Sequence, residues 1–172
     1  MLQNISVRFD PVEDRLVLRL TCLEREQRSD HWLLLTRRVC VQWCKDLQAM
    51  MDLSSQAPER LDSHAKTVFS AAHHVAVASQ VPIRREAAAV PDAESELTLV
   101  TKASCGRRRN DGRWVVKFEF RDREPLVMVL SSPTLHALAD VIAQRVSAAN
   151  WGIAVGVTQA APPAQEKARS IH

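Results

Sequence analysis

Two segments of this chain repeat one alternating pattern, about 98 residues apart. Residues 15–20 read Arg-Leu-Val-Leu-Arg-Leu and residues 113–118 read Arg-Trp-Val-Val-Lys-Phe, so basic and apolar residues recur in the same order. Strict alternation is the period of a half-buried β-strand, because successive side chains point to opposite faces of a sheet. The two segments therefore predict two strands, each with an apolar face and a basic face.

The resemblance between the two regions extends on both sides of these segments. A strand-like segment precedes each, at Ile5–Phe9 and at Leu97–Cys105, and turn residues such as Asn110, Asp111 and Gly112 join the pairs into hairpins. A third alternating or apolar segment follows each hairpin, at His31–Leu35 and at Leu126–Leu130. The chain thus predicts two three-stranded meanders.

A helix is predicted after each meander. Thr36 suits the N-cap of the first, while Ser132 suits the N-cap of the second with Pro133 at its first helical position. Apolar residues then recur at helical spacing, which indicates one buried stripe on each helix. The stripes are Val39, Trp43, Leu47, Met50 and Met51, and Leu135, Leu138, Ala139, Ile142, Val146 and Ala149.

These elements predict an α+β fold made of two βββα units, with antiparallel sheet packed against helices. Sharing one core hides more apolar surface than two separate small units would, so residues 1–156 are interpreted as one pseudo-symmetric domain. Internal duplication explains the repeat, and the alternative is that any meander followed by a helix gives this pattern by chance. The expected boundaries are unit 1 at about 1–53, a helix at about 58–79, a linker at about 82–96, unit 2 at about 97–152 and a flexible tail at 157–172.

The sequence lacks the motifs of common enzymes. With only four glycines it has no Gly-rich phosphate loop, and it has no HExxH or GxSxG motif. No catalytic residue and no cofactor is therefore predicted, and an enzyme with dispersed residues is the third functional hypothesis. The longest apolar runs are far shorter than the about 20 residues of a membrane span, and no export signal is recognisable at the start. We therefore expect a cytoplasmic protein that does not associate with a membrane.

The four cysteines and one histidine pair are the residues with metal-ligand chemistry. Cys40 and Cys44 lie one helical turn apart, and with Cys22 and Cys105 they are weak candidates for a four-thiolate zinc site. Their spacing fits no standard zinc motif, so buried reduced thiols are the preferred interpretation and no metal is predicted. His73 and His74 are adjacent and point about 100° apart on a helix, so they are expected at partly exposed positions without a role.

Basic residues concentrate in one short stretch of the second unit. Residues 102–123 contain eight cationic and three anionic residues, a local net of +5 that exceeds the +3 of the whole chain. Some precede the Asn110-Asp111-Gly112 turn and should decorate a hairpin tip, and the others should share the solvent face of the next strand. The candidate binding residues are Arg107, Arg108, Arg109, Arg113, Lys117 and Arg121.

Such a cationic surface fits an acidic protein partner or a nucleic-acid backbone. A non-catalytic interaction or assembly module that engages an acidic partner is the first hypothesis, and sequence-tolerant binding of single-stranded nucleic acid is the alternative. By order of elements alone, the pattern resembles the PUR and Whirly classes of single-strand binders, whose β-rich repeats each end in a helix. The chain has no tyrosine, and Trp114, Phe118 and Phe120 are expected to face the core, which disfavours base stacking. A merely solvated surface is the plain alternative, and a homodimer through open sheet edges is also expected.

Overall fold

The structure, a computed structural model, describes residues 2–24, 27–81, 90–92 and 95–153. In these ranges it forms two β-sheets and three α-helices, so the fold is mixed α+β as predicted. The elements are β1 (Leu2–Asp10), β2 (Arg15–Glu24), β3 (Gln27–Thr36), α1 (Arg37–Ser55), α2 (Ser63–Ala78), β4 (Leu97–Leu99), β5 (Lys102–Arg107), β6 (Trp114–Glu119), β7 (Leu126–Leu130) and α3 (Ser132–Ala148).

One short strand from the second half of the chain, β4, belongs to the first sheet. The first sheet has the order β1-β2-β3-β4, in which the first three strands are antiparallel and β4 runs parallel to β3. The second sheet, β5-β6-β7, is antiparallel throughout. The single strand expected at Leu97–Cys105 is therefore wrong, because the backbone crosses between sheets at Val100 and Thr101. The amide of Val100 donates to Leu34 in the first sheet, and that of Thr101 donates to Glu119 in the second.

Helix starts follow local side-chain chemistry. The hydroxyl of Thr36 accepts from the Val39 amide and caps α1 as predicted, whereas α3 is capped by Ser131, one residue before the predicted Ser132. The central helix begins at Ser63 rather than near Pro58, because the Asp62 carboxylate accepts from the Ala65 amide. The first amides of a helix have no carbonyl partner within the helix, and the Asp62 carboxylate provides an acceptor for one of them.

The core joins both halves of the chain in one hydrophobic cluster. Alternate residues of β2 and β6 are buried as the repeat predicted, namely Leu16, Leu18, Leu20, Trp114, Val116 and Phe118. Trp43 of α1 packs edge to face against Phe118 of β6, with 5.2 Å between ring centroids. The first helix therefore packs against the second sheet.

In and just before the central helix, apolar residues recur at helical spacing but do not form its buried face; they are Leu61, Ala65, Val68, Ala72 and Val75. Its apolar residues Val68 and Val75 lie on the solvent side, while the polar Ser70 and His74 are buried. The Ser70 hydroxyl donates to the Asp52 carboxylate at 2.8 Å, so α2 is attached to the end of α1 by a polar contact.

Parts of the predicted linker and the predicted tail lie outside the described residues, at 82–89, 93–94 and 157–172. None of the helices in the described ranges is long and apolar enough to cross a lipid bilayer.

Adjacent residues of β7 test which face of the second sheet is buried. Met128→Ala should lower the free energy of unfolding by about 2–5 kcal/mol, because Met128 lies in the core. Val127→Ala should change it by less than about 0.5 kcal/mol, because the Val127 side chain is 54% exposed. Urea unfolding of both variants measures the difference, and equal losses would contradict this orientation.

Candidate partner-binding site at the basic hairpin

The basic stretch forms a hairpin between β5 and β6, and residues 107–113 are called the hairpin tip here. The last paired residues are Arg107 and Trp114. The turn is closed by the amide of Arg108 donating to Arg113 at 2.8 Å and the amide of Gly112 donating to Arg108 at 3.0 Å. Gly112 has φ +67°, a conformation that glycine adopts without strain. The turn residues predicted from sequence therefore form the tip.

Two tip arginines are held by the tip itself. The Arg107 Nε donates to the Gly112 carbonyl at 2.9 Å, and its guanidinium lies 5.6 Å from the centre of the Trp114 ring. Arg108 forms a salt bridge with Asp111, and its hydrogen bonds hold the pKa of that carboxyl below its ordinary value. Arg109 is exposed and has no ion-pair partner among the described residues.

The strand part of the predicted site differs from the expectation. Since β6 spans Trp114–Glu119, Lys117 lies on the strand, whereas Arg113 and Arg121 lie beyond its two ends. Lys117 pairs with Glu119 at 2.9 Å, which neutralises its charge locally. Glu119 therefore interrupts the cationic charge along this face, and Arg121 lies at the end of β6 away from the hairpin tip.

The aromatic residues of this sheet are turned inward. Trp114 and Phe118 are buried as predicted, and Phe120 is half-buried beside the Arg123 guanidinium. Trp114 and Phe118 are therefore unavailable as a stacking surface for bases, since such a surface needs exposed rings.

Behind the hairpin tip lies a cavity of about 320 Å³, called the tip cavity here. Arg107 and Arg113 form one wall, and Leu53 with Trp114 and Leu130 form the apolar part. The remaining polar wall comes from all three helix regions. It consists of Ser54, Gln56, His73, Ser131 and Ser132.

A chain of polar side chains, called the polar relay here, leads from the interior to this cavity. His74 and His136 approach with 2.8 Å between their Nδ1 atoms, and His136 Nε2 lies 3.1 Å from the Ser54 hydroxyl. That hydroxyl lies 2.9 Å from the hydroxyl of Ser132. The expectation that both histidines of the pair are partly exposed is wrong for His74, which is buried.

Burial keeps the relay imidazoles neutral. Desolvation, with the neighbouring His74 and His73, lowers the pKa of His136 to about 4. Desolvation also lowers the pKa of His74, against the opposing effect of Asp140. A neutral imidazole has one N–H and one acceptor nitrogen, so one histidine donates to the other in this contact.

The cysteines do not form the weakly predicted zinc site. Among the described residues, no group of three or more His, Cys, Asp or Glu side chains is placed to hold a metal ion. Cys22, Cys40 and Cys44 are buried and Cys105 is partly buried. Burial raises the pKa of Cys44 to about 11 and that of Cys105 to about 12, so both remain protonated thiols at neutral pH.

Comparison with known proteins adds no assignment to these residues. No protein-family model matches the chain, and neither a curated protein nor a solved structure does. The function of the hairpin is therefore inferred from its charges, its cavity and its hydrogen bonds.

The polar relay predicts a specific pH dependence of stability. Unfolded histidines titrate near pH 6.5, whereas folded His136 stays neutral down to about pH 4. Between these values the unfolded state binds more protons, so the free energy of unfolding should fall as pH decreases from about 6.5 to 4. Urea unfolding at several pH values should show a shallower fall for His136→Gln than for the wild type.

His64 provides a matched histidine control, because its side chain is exposed and lies outside the polar relay. His64→Gln should retain the pH dependence of the wild type. An identical pH dependence for His136→Gln and His64→Gln would show that the relay imidazoles do not contribute.

Proposed function

We propose that this protein is a non-catalytic interaction module that engages an acidic protein partner through the hairpin tip. The observation that carries the proposal is the concentration of four arginines, Arg107 to Arg109 and Arg113, on one tight turn with Asp111 as its anionic residue. Opposite charge on a partner steers association and sets its orientation.

The geometry of the tip favours recognition over a purely solubilising role. Arg107 is fixed by a backbone carbonyl and an aromatic ring, and the turn is closed by two backbone hydrogen bonds. A guanidinium that is already ordered loses less conformational freedom when it binds a carboxylate. A charge placed only for solubility needs no such fixation.

Nucleic acid is the alternative occupant of the same charges. The net charge of residues 102–123 supports nucleic acid. Two observations favour a protein partner: the rings of Trp114 and Phe118 are buried, and Lys117 is paired with Glu119. Affinity purification with nuclease treatment separates the two kinds of partner. A cytoplasmic location of this protein also stays a prediction.

Affinity purification from the native host, with and without nuclease, tests the proposal. Arg109→Glu should reduce recovery of the partner several-fold, because Arg109 is exposed on the tip and reversing it repels an acidic surface. Arg121→Glu is the control, with the same charge change at the other end of β6. Equal recovery by both variants contradicts binding at the tip, and recovery lost on nuclease treatment indicates nucleic acid.

We also infer that the two units arose by internal duplication. Three strands and a helix occur in the same order in β1-β2-β3-α1 and β5-β6-β7-α3, and both helices begin with a hydroxyl cap. Superposition of residues 2–55 on 102–148 in an experimental structure tests this, and different strand orders or helix directions would reject it.

Self-association through sheet edges is a further part of the proposal. The edge strand β4 exposes the apolar residues Leu97 and Leu99, and an open edge pairs readily with another strand. Sedimentation equilibrium should show a dimer that Leu99→Lys weakens. A monomer at all accessible protein concentrations would reject self-association.

A further inference from the structure

The tip cavity has the donor composition of an anion site. Two arginines, Arg107 and Arg113, line it together with three serines, Ser54, Ser131 and Ser132. No carboxylate is among the described residues that line it. Its volume of about 320 Å³ lies at the lower end of the roughly 300–1,000 Å³ of small-molecule pockets.

The carboxylates on the adjacent segments are already engaged. Asp111 is bound by Arg108, and Asp52 at the end of α1 accepts from Ser70 and from Gln48. A second cavity, of about 180 Å³ between the two sheets, differs because Asp30, Glu96 and Glu124 line it. The lack of carboxylates thus distinguishes the tip cavity from this second cavity.

The guanidinium of Arg107 is held in place before any ligand binds. Its Nε is used by the Gly112 carbonyl, which leaves the Nη donors for other partners. The guanidinium packs closely against the turn, since a Cβ at Gly112 would lie 3.1 Å from Arg107 Nη2. Planar guanidinium donors match two oxygens of one phosphate or carboxylate.

The polar relay can deliver a further donor to the cavity. When His74 donates to His136, the Nε2–H of His136 donates to Ser54, and Ser54 donates to Ser132. The Ser132 hydroxyl hydrogen is then free to bind an anion. In the reverse arrangement Ser132 donates to Ser54 and presents only lone pairs to the cavity, so an anion selects the first arrangement.

We propose that the tip cavity binds the phosphate group of a phosphorylated ligand. Two positive charges balance a dianion better than a single carboxylate, and the surrounding serine hydroxyl groups can donate to several oxygens of a tetrahedral group. The identity of the carrier rests on the proposed function. Because the hairpin tip forms one wall, a phosphorylated side chain of the acidic partner is the ligand that it would place there.

Titration calorimetry at constant ionic strength tests the cavity without any partner. Inorganic phosphate and O-phosphoserine should bind saturably, whereas serine should not. Arg113→Gln should weaken phosphate binding at least about tenfold, because a charge-assisted hydrogen bond is lost. Arg121→Gln, which removes the same charge outside the cavity, should bind like the wild type.

A second variant guards against a local change in the hairpin. Ser132→Ala leaves both arginines in place and should also weaken phosphate binding, with unfolding temperatures recorded for every variant. Absence of saturable phosphate binding, or equal affinities for Arg113→Gln and Arg121→Gln, would overturn the proposal. If phosphate binding fails in this way but Arg109→Glu still loses capture of the partner, the proposed partner function remains supported.

Phosphatase treatment of the host extract distinguishes the two sources of the phosphate group. If partner capture is lost after treatment, the ligand is a phosphorylated side chain of the partner. If capture persists while O-phosphoserine still binds, the cavity holds a small phosphorylated molecule instead. In either case Arg113→Gln should weaken the phosphate-dependent binding.

Discussion

The edge-to-face contact between Trp43 and Phe118 is the point at which the two halves of the chain meet. An aromatic pair of this kind contributes about 0.5–1.5 kcal/mol beyond the apolar area that it buries. Its larger effect is geometric, because it fixes α1 over β6 and so fixes the end of α1 beside the root of the hairpin. The tip cavity exists because these two elements are held together.

The short strand β4 supports the same junction from the other side. It pairs with β3 in the first sheet, and after two intervening residues the chain enters β5 in the second. A crossing this short leaves little freedom for the sheets to move separately. The hairpin tip is thus carried on a rigid base, as a recognition surface needs to be.

Local chemistry made much of the fold predictable and little of the site. Alternation located β2 and β6, and the hydroxyl of Thr36 marked the start of α1, since both signals depend on neighbouring residues. The division at Val100 was not predictable, because it depends on which sheet each backbone amide reaches. His136 gave no signal either, since its partners His74 and Ser54 lie 62 and 82 residues away in the sequence.

The orientation of α2 shows that a hydrophobicity pattern alone does not determine which face of a helix is buried. Its sequence suggested an apolar stripe toward the core, yet Ser70 and His74 face inward. A polar contact is directional, so Ser70 on Asp52 and His74 on His136 fix the rotation of the helix where apolar contacts would allow several. The same rotation puts His73 at the tip cavity. The buried polar contacts of Ser70 and His74 therefore also align α1, α2 and α3 around the tip cavity.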